Sequence, residues 1–355
     1  MANSYYQTIT TPKLYVSYPL WQYANGALDS METNTNANNE DIIRILQLDP
    51  SKRTNINPDE LLESNYIKYK IVPASDDFTN VIDSGLWNFD FMGILGHNLA
   101  SSNVSVSIQA NNDVNDVIDL NTTSIVNHMP NGTPEYDGWS LFNLDDKPEN
   151  NYREIKIKLG FEQGINETPI IMNSLFFGKS FTFPQNADLN TTVKFDYGVK
   201  QKQTISGKTV SQINWSKPNN WITEPFGLTE PFGERGDNFQ RRSGRRTWSI
   251  SFDSLAPDKV MNQMPMMNSN GWTAQDNHST GADGIESLYN INNAVDFYTN
   301  VVHRTMGGHL PMLLQVDSSD PSPHNFAIVR MKPDYVISQK SPNLYNIKLT
   351  LVEQI

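Results

Sequence analysis

Six histidines and a run of arginines are the side chains in this sequence best suited to chemistry, and their spacing decides which chemistry. The histidines (His97, His128, His278, His303, His309 and His324) never form the HExxH pair that holds zinc on a helix. There is no cysteine, which removes thiolate nucleophiles, thiolate metal sites and disulfides together. Neither a GxSxG nucleophile elbow nor a GxxxxGK[ST] phosphate loop occurs. Asp145, Asp146 and Glu149 crowd into one loop, yet they lack the ligand spacing of a calcium loop and read as a solvated acidic turn. No pair of carboxylates is marked out for glycoside hydrolysis. The expectation is a protein without catalysis, metal or cofactor.

The arginines offer recognition instead. Arg235, Arg241, Arg242, Arg245 and Arg246 crowd into residues 235–246, although the chain as a whole carries a net charge of −12. A guanidinium pairs with carboxylates through two parallel hydrogen bonds, so a basic segment on an acidic body suits another copy of that body. Nucleic acid is not expected as a partner, because five arginines without basic surroundings release few counterions. Just upstream, Glu-Pro-Phe-Gly occurs at 224–227 and again at 230–233, on a stretch too rich in Pro and Gly for regular structure. Phe226, Phe232 and Trp221 lie there, and large aromatics on an irregular arm call for a covering chain. Residues 206–246 are therefore expected to form an extended arm that contacts a neighbouring subunit. Tyr136, Asp137 and Trp139 form an aromatic-and-acid set that could face a glycan. His97, in GILGHNL, reads as a turn residue held by backbone groups.

The elements that must position these residues are mainly strands. Hydrophobic content of 37% and charged content of 19% leave room for the Asn, Ser and Thr of a turn-rich all-β protein. Residues 1–75 read as strands and an arm packing on a scaffold, beginning with the strand-like KLYVSYPLWQYANG; DIIRILQL reads as a short apolar patch. Residues 76–185 read as a β-sandwich. There, Trp87, Phe89 and Phe91 alternate with polar neighbours, as do Val104, Val106 and Ile108, and then Ile155, Ile157 and Leu159. PIIMNSLFFGKSFTF is more continuously apolar, as expected of a strand buried on both faces. Residues 186–355 read as a β-rich scaffold. VKFDYGVKQ gives one alternating strand, TWSISF another, FAIVRM and YNIKLTLVEQI two more, and NNAVDFYTNVVHRTMGG a packed helix near residues 293–306, capped by Asn292 or Asn293 and ended by Gly307. The first residues lack the basic and apolar regions of a signal peptide. No apolar run reaches the roughly 18 residues that span a bilayer, so membrane insertion is not expected.

Two stretches carry a resemblance. FMGILGHNLASSNVSVSIQ, with YREIKIKLGF and PIIMNSLFFGKSFTF further on, resembles the galactose-binding-like, discoidin-type jelly-roll. The sequence from FFGKSFTFPQNADL through RRSGRRTWSISF to YNIKLTLVEQI is similar to tail-associated virion proteins of tailed bacteriophages. The second resemblance implies a structural component of the particle, assembled in the host bacterial cytoplasm. Its place would be the distal tail, baseplate or adaptor region, as one copy in a symmetric ring beside other virion proteins. The first implies a jelly-roll inserted in the scaffold, with loops that bind host-surface glycan in an alternative role as a carbohydrate-binding module.

Overall fold

The computed structural model describes residues 9–24, 28–33, 39–48, 54–56, 64–71, 89–111, 117–129, 132–144, 154–160, 170–213, 245–261, 296–322 and 325–354. The first strand, β1 (Lys13–Ser17), buries Leu14 and Val16 on one face and Tyr15 on the other. It ends sooner than its apolar run suggests, and helix α1 (Tyr18–Ala24) follows. The Ser17 hydroxyl accepts the Leu20 N–H at 3.4 Å, and Pro19 stands in the first turn, where its missing N–H leaves no bond unmade. Next come β2 (Leu28–Thr33), α2 (Asn39–Leu46), β3 (Thr54–Ile56) and β4 (Ser64–Ile71). The DIIRILQL patch is thus largely helix, with Ile45 and Leu46 buried.

The middle of the chain supplies β5 (Phe91–His97), β6 (Ser105–Asn111), β7 (Val117–Leu120) and β8 (Thr122–Val126). It continues with β9 (Gly138–Leu144), β10 (Glu154–Gly160), β11 (Ile170–Met172) and β12 (Ser174–Thr182). After these come β13 (Thr192–Asp196), β14 (Val199–Gln203), β15 (Thr209–Ile213), β16 (Arg245–Leu255) and the short helix α3 (Pro257–Val260). A π-helical segment (Tyr298–His303) precedes β17 (Met312–Gln315), β18 (Phe326–Met331), β19 (Val336–Ser341) and β20 (Leu344–Glu353).

Two antiparallel sheets dominate. The larger has eleven strands, in the order β13-β16-β20-β18-β17-β1-β12-β5-β9-β8 with β19 also on β20; the smaller runs β2-β4-β10-β6-β7. They face each other as a β-sandwich. Ile67 and Tyr69 of β4, Ile108 of β6 and Ile155, Ile157 and Leu159 of β10 meet Met92 and Ile94 of β5, Phe142 of β9 and Leu175 and Phe177 of β12 in one buried cluster. On the same face of the large sheet, further along it, a second cluster joins Trp248, Ile250 and Phe252 of β16 to Ile347, Leu349 and Leu351 of β20. Phe297, Val301 and Val302 cover that cluster from above. The alternating patterns of β10, β16 and β20 thus point inward as their sequences required.

The opposite face of the large sheet makes a third core by curling on itself. Trp139 of β9 and Phe326 of β18 stand five strands apart, about 24 Å on a flat sheet at ~4.8 Å per strand. Their ring centroids are 5.1 Å apart, edge to face. Tyr15 and Phe91 fill the space between them, with centroids at 4.9 Å. The apolar run ending in SLFF is therefore buried on both sides, since Phe176 points into this third core while Leu175 and Phe177 point into the sandwich. Where β1 crosses β12 the backbones close up at Gly178. A Cβ there would lie 2.1 Å from the Val16 carbonyl oxygen.

Two expectations need correction. VKFDYGVKQ is not one half-buried strand. Gly198 adopts φ +66° and donates its N–H to Asp196 Oδ1 at 2.8 Å, so the chain turns between β13 and β14. Phe195, Tyr197 and Val199 are left about half exposed. The helix near 293–306 is wound as a π-helix over Tyr298–His303. Asp296 Oδ2 accepts the Thr299 N–H at 2.8 Å, and Gly307 and Gly308, both at positive φ, end the segment as expected; Asn292 and Asn293 lie outside the described residues.

Candidate functional site

The loop expected to face a glycan is tied down by one asparagine. Asn127, 5% exposed, takes φ 65°, a left-handed conformation that asparagine tolerates better than most residues. Its Oδ1 accepts the N–H groups of Glu135 and Tyr136, at 3.1 and 3.3 Å. Its Nδ2 donates to the carbonyls of Tyr136 and Trp139 and to Ser140 Oγ, between 2.8 and 3.2 Å. Asp137 Oδ1 accepts the Ser101 N–H at 2.9 Å. Trp139 is no platform. It is fully buried against Phe326, because β9 alternates and position 139 falls on the inward register of the curled sheet. Tyr136 stays half-buried, and partial desolvation, with the Glu135 charge beside it, raises its phenol pKa. Sequence reasoning missed Asn127 and Ser140, which carry no motif.

His97 belongs to the same network, and it sits at the end of β5 instead of in a turn. Gly96, at φ +62°, shifts the register so that His97 stands opposite Gly138. Its Nε2 meets Ser140 Oγ at 2.8 Å, and its Nδ1 accepts the Leu99 N–H at 3.4 Å. Burial lowers its pKa from 6.5 to about 4, against the opposing pull of the Asp137 carboxylate. His303 is lowered to about 4 as well, by burial and then by the Arg304 charge. Both rings bind a proton more weakly folded than unfolded. Their stabilising effect is therefore complete above pH ~6.5 and lost as the pH falls toward about 4. Urea midpoints should fall across that window, and His97→Gln should flatten part of the slope. An unchanged slope would show that His97 takes no part.

Of the five arginines expected to reach another subunit, the structure describes Arg245 and Arg246. Arg235, Arg241, Arg242, Phe226, Phe232 and Trp221 lie outside the described residues. Arg246 is engaged within its own chain. Its Nη2 donates to Glu353 Oε1 at 2.6 Å, its Nε approaches both carboxylate oxygens at 3.1 Å, and its backbone N–H donates to Oε2 at 2.8 Å. Its guanidinium carbon lies 4.9 Å from the Trp248 ring centroid. The two side chains are 13% and 4% exposed. The reason is register: β16 and β20 pair antiparallel with Thr247 opposite Val352, so Arg246 and Glu353 arrive together on the inward face. Arg245 pairs in register with Asp196 of β13.

Of the arm expected over residues 206–246, the structure describes 206–213, which form the tip and second strand of a β-ribbon, and 245–246, which begin β16. Among the described residues β14 and β15 pair with each other and with no other strand, and every residue from Val199 to Gln212 is exposed. The tip is built by Thr204, whose N–H donates to the Lys208 carbonyl at 2.8 Å while its hydroxyl oxygen accepts the Lys208 N–H at 3.1 Å. Gly207 supplies φ +81° at the turn. Among the described residues no group of three His, Asp or Glu is placed to hold a metal ion, and no helix is long and apolar enough to cross a membrane.

No protein-family model and no curated protein matches the chain. Among solved structures it is similar to a pectin-binding carbohydrate-binding module, at 10% identity and a TM-score of 0.25, over 42% of this chain and 89% of that one. It is also similar to a truncated AlyQ with CBM32 and alginate lyase domains, at 10% identity and a TM-score of 0.28, over 72% of this chain and 52% of that one. The chain thus spans about half the length of the latter.

Proposed function

We propose that this protein is a structural, non-enzymatic component of a tailed-bacteriophage particle, standing in the tail beside other virion proteins and copies of itself. The observation that supports this reading is the β14–β15 ribbon, exposed on both faces. An isolated two-stranded ribbon is marginally stable in water, and such an element suits a molecule completed by neighbours. The hydrogen bonds of Asn127, Asp137 and Ser140 brace a loop within the chain. For glycan binding, the competing reading, the expected set loses Trp139, which is committed to the core.

Mass spectrometry of purified particles tests the reading. The chain should co-purify with tails in several copies per particle, and antibody against it should decorate one fixed level of the tail. Particles with complete tails but without the chain would overturn it.

A further inference from the structure

We propose that the β14–β15 ribbon is a cationic docking element whose partner is an acidic surface of a second copy of this chain. The inference rests on the assembly reading above and names the contact that reading leaves open. Register sorts the ribbon into two faces. Lys200 stands opposite Gln212 and Lys202 opposite Val210, whereas Val199, Gln201 and Gln203 face Ile213, Ser211 and Thr209. Because side chains alternate along a strand, Lys200, Lys202, Val210 and Gln212 share one face. The other face carries no charge. Lys208 adds a third cation at the tip.

Residues 199–213 contain three lysines and no carboxylate, on a chain whose net charge is −12. The remainder of the molecule is therefore more acidic still. A cationic ribbon on an acidic body is complementary to that body, and a second copy supplies the complement in every solution of the protein. Val210 is 52% exposed, and Ile205 at the tip is fully exposed, so each ribbon brings apolar area to bury once the lysines have steered it into place. The same chemistry makes the contact reciprocal, since each copy offers a cationic ribbon and a body of net negative charge. Such a head-to-tail contact closes into a ring when the rotation permits.

The test is the molar mass of the full chain in solution, measured by light scattering on a size-exclusion column. The wild type should run as a multimer near 0.15 M salt and dissociate toward single chains near 1 M, where the screening length drops to about 3 Å. Reversing Lys200, Lys202 and Lys208 to glutamate should weaken self-association about 100-fold, because each reversal turns an attraction into a repulsion. Near 1 M salt, where both proteins run as single chains, the thermal midpoints should coincide, since among the described residues the ribbon pairs with neither large sheet. The milder Lys→Gln triple variant should fall between the two, and Lys→Arg should retain the multimer.

A wild type that stays single-chain at concentrations on the order of 100 µM overturns the proposal. A glutamate variant that folds and remains multimeric also overturns it. The two readings fail separately. A chain found in tails whose ribbon variants still self-associate keeps the particle role and loses this contact. A chain that self-associates through the ribbon but is absent from tails does the reverse.

Discussion

Truncating Glu353 to alanine is expected to destabilise the fold by about 3–5 kcal/mol, because it leaves the Arg246 guanidinium buried without its counter-ion. That carboxylate receives both the guanidinium and the Arg246 backbone N–H, so its removal takes the acceptor from Nε and from the backbone N–H and leaves Nη2 with the Phe326 carbonyl at 3.4 Å. The pair locks the end of β16 to the end of β20, and β13 joins the large sheet through β16, beyond this seam. Glu353→Gln keeps an acceptor for the N–H and should cost less. Replacing both residues with apolar side chains of similar volume should recover much of the loss, since the desolvation of two charges is then avoided. Urea titrations of the three variants give the check. If Glu353→Ala cost under about 1 kcal/mol, the pair would rank with ordinary exposed salt bridges.

Truncating Trp139 to alanine is the second large effect, again about 3–5 kcal/mol, from lost burial and the cavity left behind. The ring is fully buried and holds the two limbs of the curled sheet together through Phe326. Trp139→Phe retains most of the contact and should cost far less. The same variants weigh the glycan reading. If Trp139→Ala left stability untouched and abolished binding to a host glycan, the ring would be a platform after all, and the third core would be misassigned.

Strand identities were legible because alternation is a local signal. Ile155, Ile157 and Leu159, or Ile347, Leu349 and Leu351, announce a buried face to anyone counting by twos. The Arg246–Glu353 pair was legible in the same way, although its charges distracted from it. Arg246 continues the inward register of Trp248, Ile250 and Phe252, and Glu353 continues that of Leu349 and Leu351. Two opposite charges in the inward registers of two strands are each other's natural partners. Trp139 was misjudged for the opposite reason. Its local context, Tyr-Asp-Gly-Trp, reads as a surface loop, and only the curl that brings Phe326 around reveals a core position. Asn127 carries five hydrogen bonds from a sequence, Ile-Val-Asn-His, that marks nothing. Such a role depends on where a later loop comes to rest, and single-residue patterns carry no trace of it.

The position of β1 between β12 and β17 sets the pace at which this molecule can form. The Tyr15 hydroxyl donates to Gln315 Oε1 across 300 residues of sequence, and the neighbouring strand on its other flank comes from residues 174–182. Long closures of this kind sacrifice chain entropy well before any contact repays it, so polypeptides rich in them are slow to reach the native state. While synthesis proceeds, β1 must wait with one flank unpaired even after β12 has joined its other side, an invitation to the wrong strand. Swift, faithful maturation of this polypeptide therefore hinges on whatever shields that flank until β17 emerges.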